Sequence, residues 1–184
     1  MKSPVFDEIG LPLSSCSLTR VKAASQLRMN ENARVSFSIQ PFEKVFAVTP
    51  SVNGIPLAEM ALTFEREQCF EPPGGYGGLI PQWFKYGALD HYFLGEFEPN
   101  SYFARMGRVY ILGCGGCGEV GCWPLTARIG ADAKSVVWDS FQQSHRPERD
   151  YSKFGPFVFE AHQYREAVAA LRIEFSARVP DVEW

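Results

Sequence analysis

The chain has 184 residues, a net charge of −3 and a sequence pI of about 5.7. A chain of that length fits one domain and buries about 70% of the surface its unfolded form exposes, so it needs neither disulfide nor metal to fold. The acidic balance, with Lys and Arg scattered in no long run, argues against nucleic acid as an obligatory partner and against a basic membrane-binding patch.

Residues 1–33 are weakly patterned and are expected to form an N-terminal extension to a single domain over 34–184. Pro4, Asp7, Glu8, Gly10 and Pro12 interrupt any apolar run near the start, so no signal peptide is expected. Nor is any apolar stretch long enough to span a bilayer, and the cytoplasm is the expected location. LTRVKAASQLRMNEN (18–32) has helical spacing with a thin apolar face.

The pattern sharpens at Arg34. RVSFSIQ (34–40) alternates, with Val35, Phe37 and Ile39 on one face, which predicts a half-buried strand. Asn53-Gly54 then separates two apolar runs, and this pair favours a tight hairpin because both residues tolerate positive φ. Pro50 and Pro56 restrict pairing near the turn, so the hairpin is expected at a sheet edge or flared at its tip. LAEMALTFE (57–65) fits a strand or a helix, with Leu57, Met60, Ala61 and Phe64 at helical spacing.

EPPGGYGGLIP (71–81) is too rich in glycine and proline for a regular element and reads as a connection. Residues 82–103 are dense in aromatics, which suits a core or a partner surface. RVYILG (108–113), CWPLTARIG (122–130) and SVVWDSFQQ (135–143) predict three strands of an antiparallel meander. A polar loop, SHRPERDYSKFGP (144–156), leads to a helix over 160–172, whose apolar face runs through Tyr164, Ala167, Val168 and Leu171. The fold class is therefore α+β: an antiparallel sheet or meander with the C-terminal helix packed on one face.

Chemistry concentrates at ILGCGGCGEVGCWPL (111–125), where Cys114, Cys117 and Cys122 are spaced C-x2-C-x4-C. Four readings stay open. Cysteine buries well as a small hydrophobe, and the glycines permit a tight turn, so the cluster can be plain packing. A C-x2-C-G turn presents two thiolates to one point, which suits zinc with Cys122 as third ligand and His145, or failing it Cys69 or His162, as fourth. CGGC can act as a redox pair, although Gly118, Gly121 and Pro124 allow no helix after it to stabilise a thiolate. An iron–sulfur cluster needs a fourth cysteine.

In the polar loop, His145, Arg146, Arg149 and Asp150 are candidate binding residues, able to move a proton or grip an anion. The alternative is a solvated loop whose charges pair with one another. No serine-hydrolase elbow or H-E-x-x-H motif occurs. A non-catalytic binding domain with a protein or small-molecule partner is therefore the first expectation. A small enzyme or zinc protein built on the cysteines and His145 is the second.

CGEVGCWPL (117–125), SFQQSHRPERDYSKFGPFVF (140–159), SVNGIPLAE (51–59) and YGGL (76–79) together resemble a bacterial protein family of unknown function. The resemblance runs from Ser51 to Leu171 in motif order. In that family the first two cysteines stand one residue closer together, so Gly115-Gly116 makes this chain's spacing its own. The resemblance implies an independently folding domain and brings no activity, cofactor or partner.

Overall fold

The computed structural model describes residues 30–180. Asn30–Ala33 forms a short strand, β1, so the helix expected to reach residue 32 gives way to extended chain. The remainder of the expected extension lies outside the described residues.

The alternating segment becomes strand β2 (Val35–Phe42), with Val35 and Ile39 buried. It pairs antiparallel with β3 (Val45–Val52). Asn53 and Gly54 have φ of 52° and 80°, and the chain returns as β4 (Ile55–Pro56). β4, which carries Pro56, holds the edge of a three-stranded sheet, order β2-β3-β4, while Pro50 lies in the central β3, opposite Phe37 of β2. The ambiguous stretch is helix α1 (Leu57–Glu67), which buries Leu57, Ala61, Phe64 and Glu65.

The glycine-rich connection contains a two-residue strand, β5 (Tyr76–Gly77). The aromatic segment carries two short helices, α2 (Leu89–Leu94) and α3 (Tyr102–Met106). It is mostly core: Tyr86, Tyr92, Phe93 and Phe103 are buried, while Trp83 and Tyr102 are exposed.

The meander follows as predicted: β6 (Val109–Cys114), β7 (Leu125–Ala131) and β8 (Ser135–Gln143), each antiparallel to the next. Between the Thr126–Gln142 and Arg128–Asp139 pairs, β8 carries one more residue than β7, and Ser140 there has φ of 52°. This bulge curls the sheet. A strand the sequence pattern did not separate from the following helix, β9 (Phe157–Glu160), pairs antiparallel with β8 and parallel with β1. The larger sheet therefore has the order β1-β9-β8-β7-β6-β5.

The last helix, α4 (Ala161–Arg178), runs six residues past its expected end. Glu160 caps it by accepting the backbone N–H groups of His162 (2.9 Å) and Gln163 (2.7 Å), which hold its carboxyl below the usual range. Tyr164, Val168, Leu171 and Phe175 line its buried face. The helix packs on β2, β8, β9 and α2. Gln163 locks it to the start of β2 by bonding both the N–H (3.2 Å) and the C=O (2.9 Å) of Val35.

Two contacts join the sheets and place the cysteine turn. The Val48 N–H donates to the Leu79 carbonyl at 2.7 Å, and the Leu79 N–H donates back at 2.9 Å. At the centre of the core, Tyr164 donates to the Phe93 carbonyl (2.6 Å) and accepts from Trp138 Nε1 (2.9 Å).

Tyr164→Phe keeps the ring but strands a buried carbonyl and a buried indole N–H. It is expected to cost about 2 kcal/mol. Tyr102→Phe, whose hydroxyl meets Tyr110 at the surface, is expected to cost less than about 0.5 kcal/mol. Urea denaturation of both variants checks the contrast; equal losses would refute it.

Candidate metal centre

The cysteine site is built from β5, β6 and the turn that follows. β6 ends on Cys114, which stands opposite Tyr76 of β5, while Gly113 stands opposite Gly77. The Gly115 N–H donates to the Gly75 carbonyl at 2.8 Å and extends that pairing past the strand. The two backbones are so close that a Cβ on Gly77 would lie 2.8 Å from the Gly115 Cα. Glycine is therefore needed there for space.

The chain then turns back. The Gly118 N–H donates to the Cys114 carbonyl at 3.0 Å, and the Cys122 N–H donates to the Glu119 carbonyl at 3.2 Å. Gly118 has φ of 74°, and a Cβ there would strike Trp83, Ile80 and Phe42 at 2.5–2.9 Å. The glycine after the second cysteine thus serves both the left-handed turn and its packing on the rings below.

This backbone brings the three thiols together: the sulfurs of Cys114, Cys117 and Cys122 all lie within 4.8 Å of one another. Cys114 is half-buried; Cys117 and Cys122 are exposed. The backbone N–H groups of Cys117 and then Gly116 point at the Cys114 sulfur, with the other two thiols beside it. Together they hold the Cys114 thiol below its usual range, against the opposing effect of partial burial. Cys122 moves the other way. Its hydrogen bonds to Cys117 and Cys114 favour the thiol and push it up to about 11. Cys114 therefore gives up its proton before Cys122. No helix follows Cys117, as expected, yet the thiolate is stabilised by the amides of the turn itself.

The polar loop packs against this turn. His145 Nε2 donates to the Gly121 carbonyl at 2.7 Å, one residue before Cys122. A carbonyl only accepts, so Nε2 carries the proton, and the ring braces the turn through its backbone. Among the described residues no histidine or carboxylate joins the three sulfurs as a ligand, His145 included. Cys69 is disulfide-bonded and supplies no thiolate. His162 sits exposed on α4 beside Glu166.

Trp123 closes the site. Its Nε1 donates to the Gly74 carbonyl at 2.8 Å, and the Arg146 and Arg149 guanidinium carbons lie 5.1 and 5.7 Å from its ring centre. Asp150 is exposed on the loop, and Arg146 is half-buried. Arg149 is buried: its side chain is 3% exposed, and it donates to the carbonyls of Glu71 (2.9 Å) and Pro72 (3.0 Å).

Arg149 turns inward toward Glu65, a residue sequence reasoning missed. Glu65 is fully buried, and its Oε1 lies 3.5 Å from Arg149 Nη1. Tyr76 donates to the same oxygen at 2.6 Å, and Tyr151 donates to it as well. Oε2 accepts the Gly74 N–H at 2.5 Å. Burial first, and then the Glu65 carboxylate, drive both phenols far above their usual range, so they stay protonated donors. The signal was present at Ala61 and Phe64: Glu65 follows Ala61 by four residues and so falls on the buried stripe of α1.

No protein-family model, curated protein or solved structure matches this chain.

Two outcomes follow from this geometry. In metal-free protein, the pH midpoint for iodoacetamide modification of Cys114 is expected below the ordinary thiol range, with that of Cys122 near 11, read by peptide mass spectrometry. Three coincident midpoints would show that the turn amides do not reach the sulfur. Glu65→Gln removes the charge that Arg149 faces in the interior and is expected to cost about 3–5 kcal/mol in urea denaturation. A loss below about 1 kcal/mol would mean that solvent reaches the pair.

Proposed function

We propose that this chain is a zinc-binding protein, with Cys114, Cys117 and Cys122 as thiolate ligands, and that its role is binding rather than catalysis. The observation that carries the reading is the convergence of three sulfurs within 4.8 Å on a turn whose amides already favour one thiolate. Zn–S bonds of about 2.3 Å place tetrahedral sulfurs roughly 3.8 Å apart, so closing the cluster takes about an ångström of side-chain rotation. A mononuclear ion suits sulfurs that converge on one point. Zinc suits soft thiolates and imposes no geometry of its own beyond the tetrahedron.

Plain packing explains the site less well. Cys117 and Cys122 are exposed, so they bury no apolar surface to speak of. His145 serves here as a positioning residue, holding the Gly121 carbonyl and thereby the backbone that carries Cys122. Zinc binding releases protons from the thiols, Cys122 above all, so affinity is expected to rise with pH.

Elemental analysis of untagged protein, after incubation with zinc and gel filtration, is expected to give about one zinc per chain. Cys117→Ser and Cys122→Ser should each lower retained zinc at least tenfold. A wild-type ratio near zero, with the thiols titrating as reduced, would sink the proposal.

A further inference from the structure

The three-cysteine set gives the metal one ligand fewer than a tetrahedron needs. Among the described residues no fourth donor stands with the sulfurs, and Cys117 and Cys122 face solvent. A groove of about 300 Å³ runs beside the site, with Cys114 and Gly115 in its wall. Gln40 and Thr49 line it from the small sheet, and Ala58 and Glu59 from α1. That volume lies at the lower end of small-molecule pockets and is too small for a docked protein segment.

Resting on the zinc reading above, we propose that the fourth position takes the sulfur of a small thiol compound, whose remaining atoms lie in this groove. The chemistry selects the class. Three thiolates on a divalent ion leave a soft, electron-rich centre with a net charge of about −1, which polarises a carbonyl or water weakly and accepts another sulfur readily. On binding, the thiol gives its proton to bulk water, and its sulfur displaces the water molecule that would otherwise complete the tetrahedron. The product is a fourth metal–sulfur bond, and no oxidation occurs. The groove walls offer a carboxylate, an amide and a hydroxyl to polar groups of the ligand.

Cobalt(II), one equivalent per chain, serves as the spectroscopic probe, with 2-mercaptoethanol as the thiol and ethanol as the oxygen control. Before thiol is added, tetrahedral visible bands and a near-ultraviolet sulfur-to-cobalt band of three-thiolate intensity are expected. Added 2-mercaptoethanol should raise the sulfur-to-cobalt absorption by about one third, one bond joining three, with cobalt still on the protein after gel filtration. Ethanol should leave it unchanged.

Ala58→Trp should keep the starting spectrum, which reports an intact site, and weaken the thiol response at least tenfold. If no tetrahedral bands form, the metal reading fails. If they form and the thiol changes nothing, the metal reading stands and this inference is overturned. A four-thiolate spectrum before thiol is added, or one that depends on protein concentration, also overturns it. The first result would mean that the chain supplies the fourth ligand, and the second that another copy does. An unchanged thiol response in Ala58→Trp removes the groove from the proposal and overturns it in this form.

Discussion

The buried carboxylate of Glu65 is the constraint on which the cysteine end of the molecule depends. An ion in the interior is tolerated when its lone pairs are met and its charge is balanced; here two phenols and a backbone N–H meet the lone pairs, and the Arg149 guanidinium 3.5 Å away balances the charge. These groups come from two separate segments of the chain. Gly74 and Tyr76 lie in the connection before the meander, and Arg149 and Tyr151 in the loop after it. The carboxylate thus gathers two irregular segments onto one helix, where apolar packing alone would specify neither.

From there the order propagates in short steps. The Gly74 N–H is held by Glu65, and the Gly74 carbonyl holds Trp123, the residue after Cys122. Tyr76, held by the same carboxylate, lies opposite Cys114. Both ends of the cysteine turn are thereby tied to one buried charge, and the guanidinium that balances that charge also lies over the Trp123 ring. His145 adds the remaining brace from the loop side. Sulfurs on a glycine-rich turn would otherwise sample many separations, and ligating geometry needs them fixed to a fraction of an ångström.

Much of the frame was legible from pattern. The alternation from Arg34, the Asn53-Gly54 turn, the meander and the apolar stripe through Tyr164, Val168 and Leu171 each follow from one local period, and each element appears where that period places it. β9 was hidden because FVFE runs into the helix without a breaker, and its pairing with β1 joins residues too far apart for any local period. Within the site, the C-x2-C-G turn pointed to thiols presented to one point, while the pairing with β5 that holds the turn, in which the Gly75 carbonyl accepts the Gly115 N–H, joins residues too far apart for any local pattern. Arg149 and Glu65 were legible as charged residues only. Each is surface-like by type, and the burial of each is intelligible only with the other in place.

The energetics of the core bear on what an ion at these thiols would do. Trp138, Tyr164, Phe64, Phe93, Phe159 and Phe175 are all but fully buried, in an apolar core continuous from β2 through the meander to α4. Such a core stabilises the fold without help, unlike the small domains in which zinc supplies most of the folding free energy. An ion bound at the rim of the sheet, with two exposed ligands, would therefore rigidify one turn and leave the rest of the molecule as it is. Its coordination chemistry is then not committed to holding the chain together. Under the proposals made above, a site of that kind, tied through its backbone to a distant carboxylate, would suit a ligand that comes and goes.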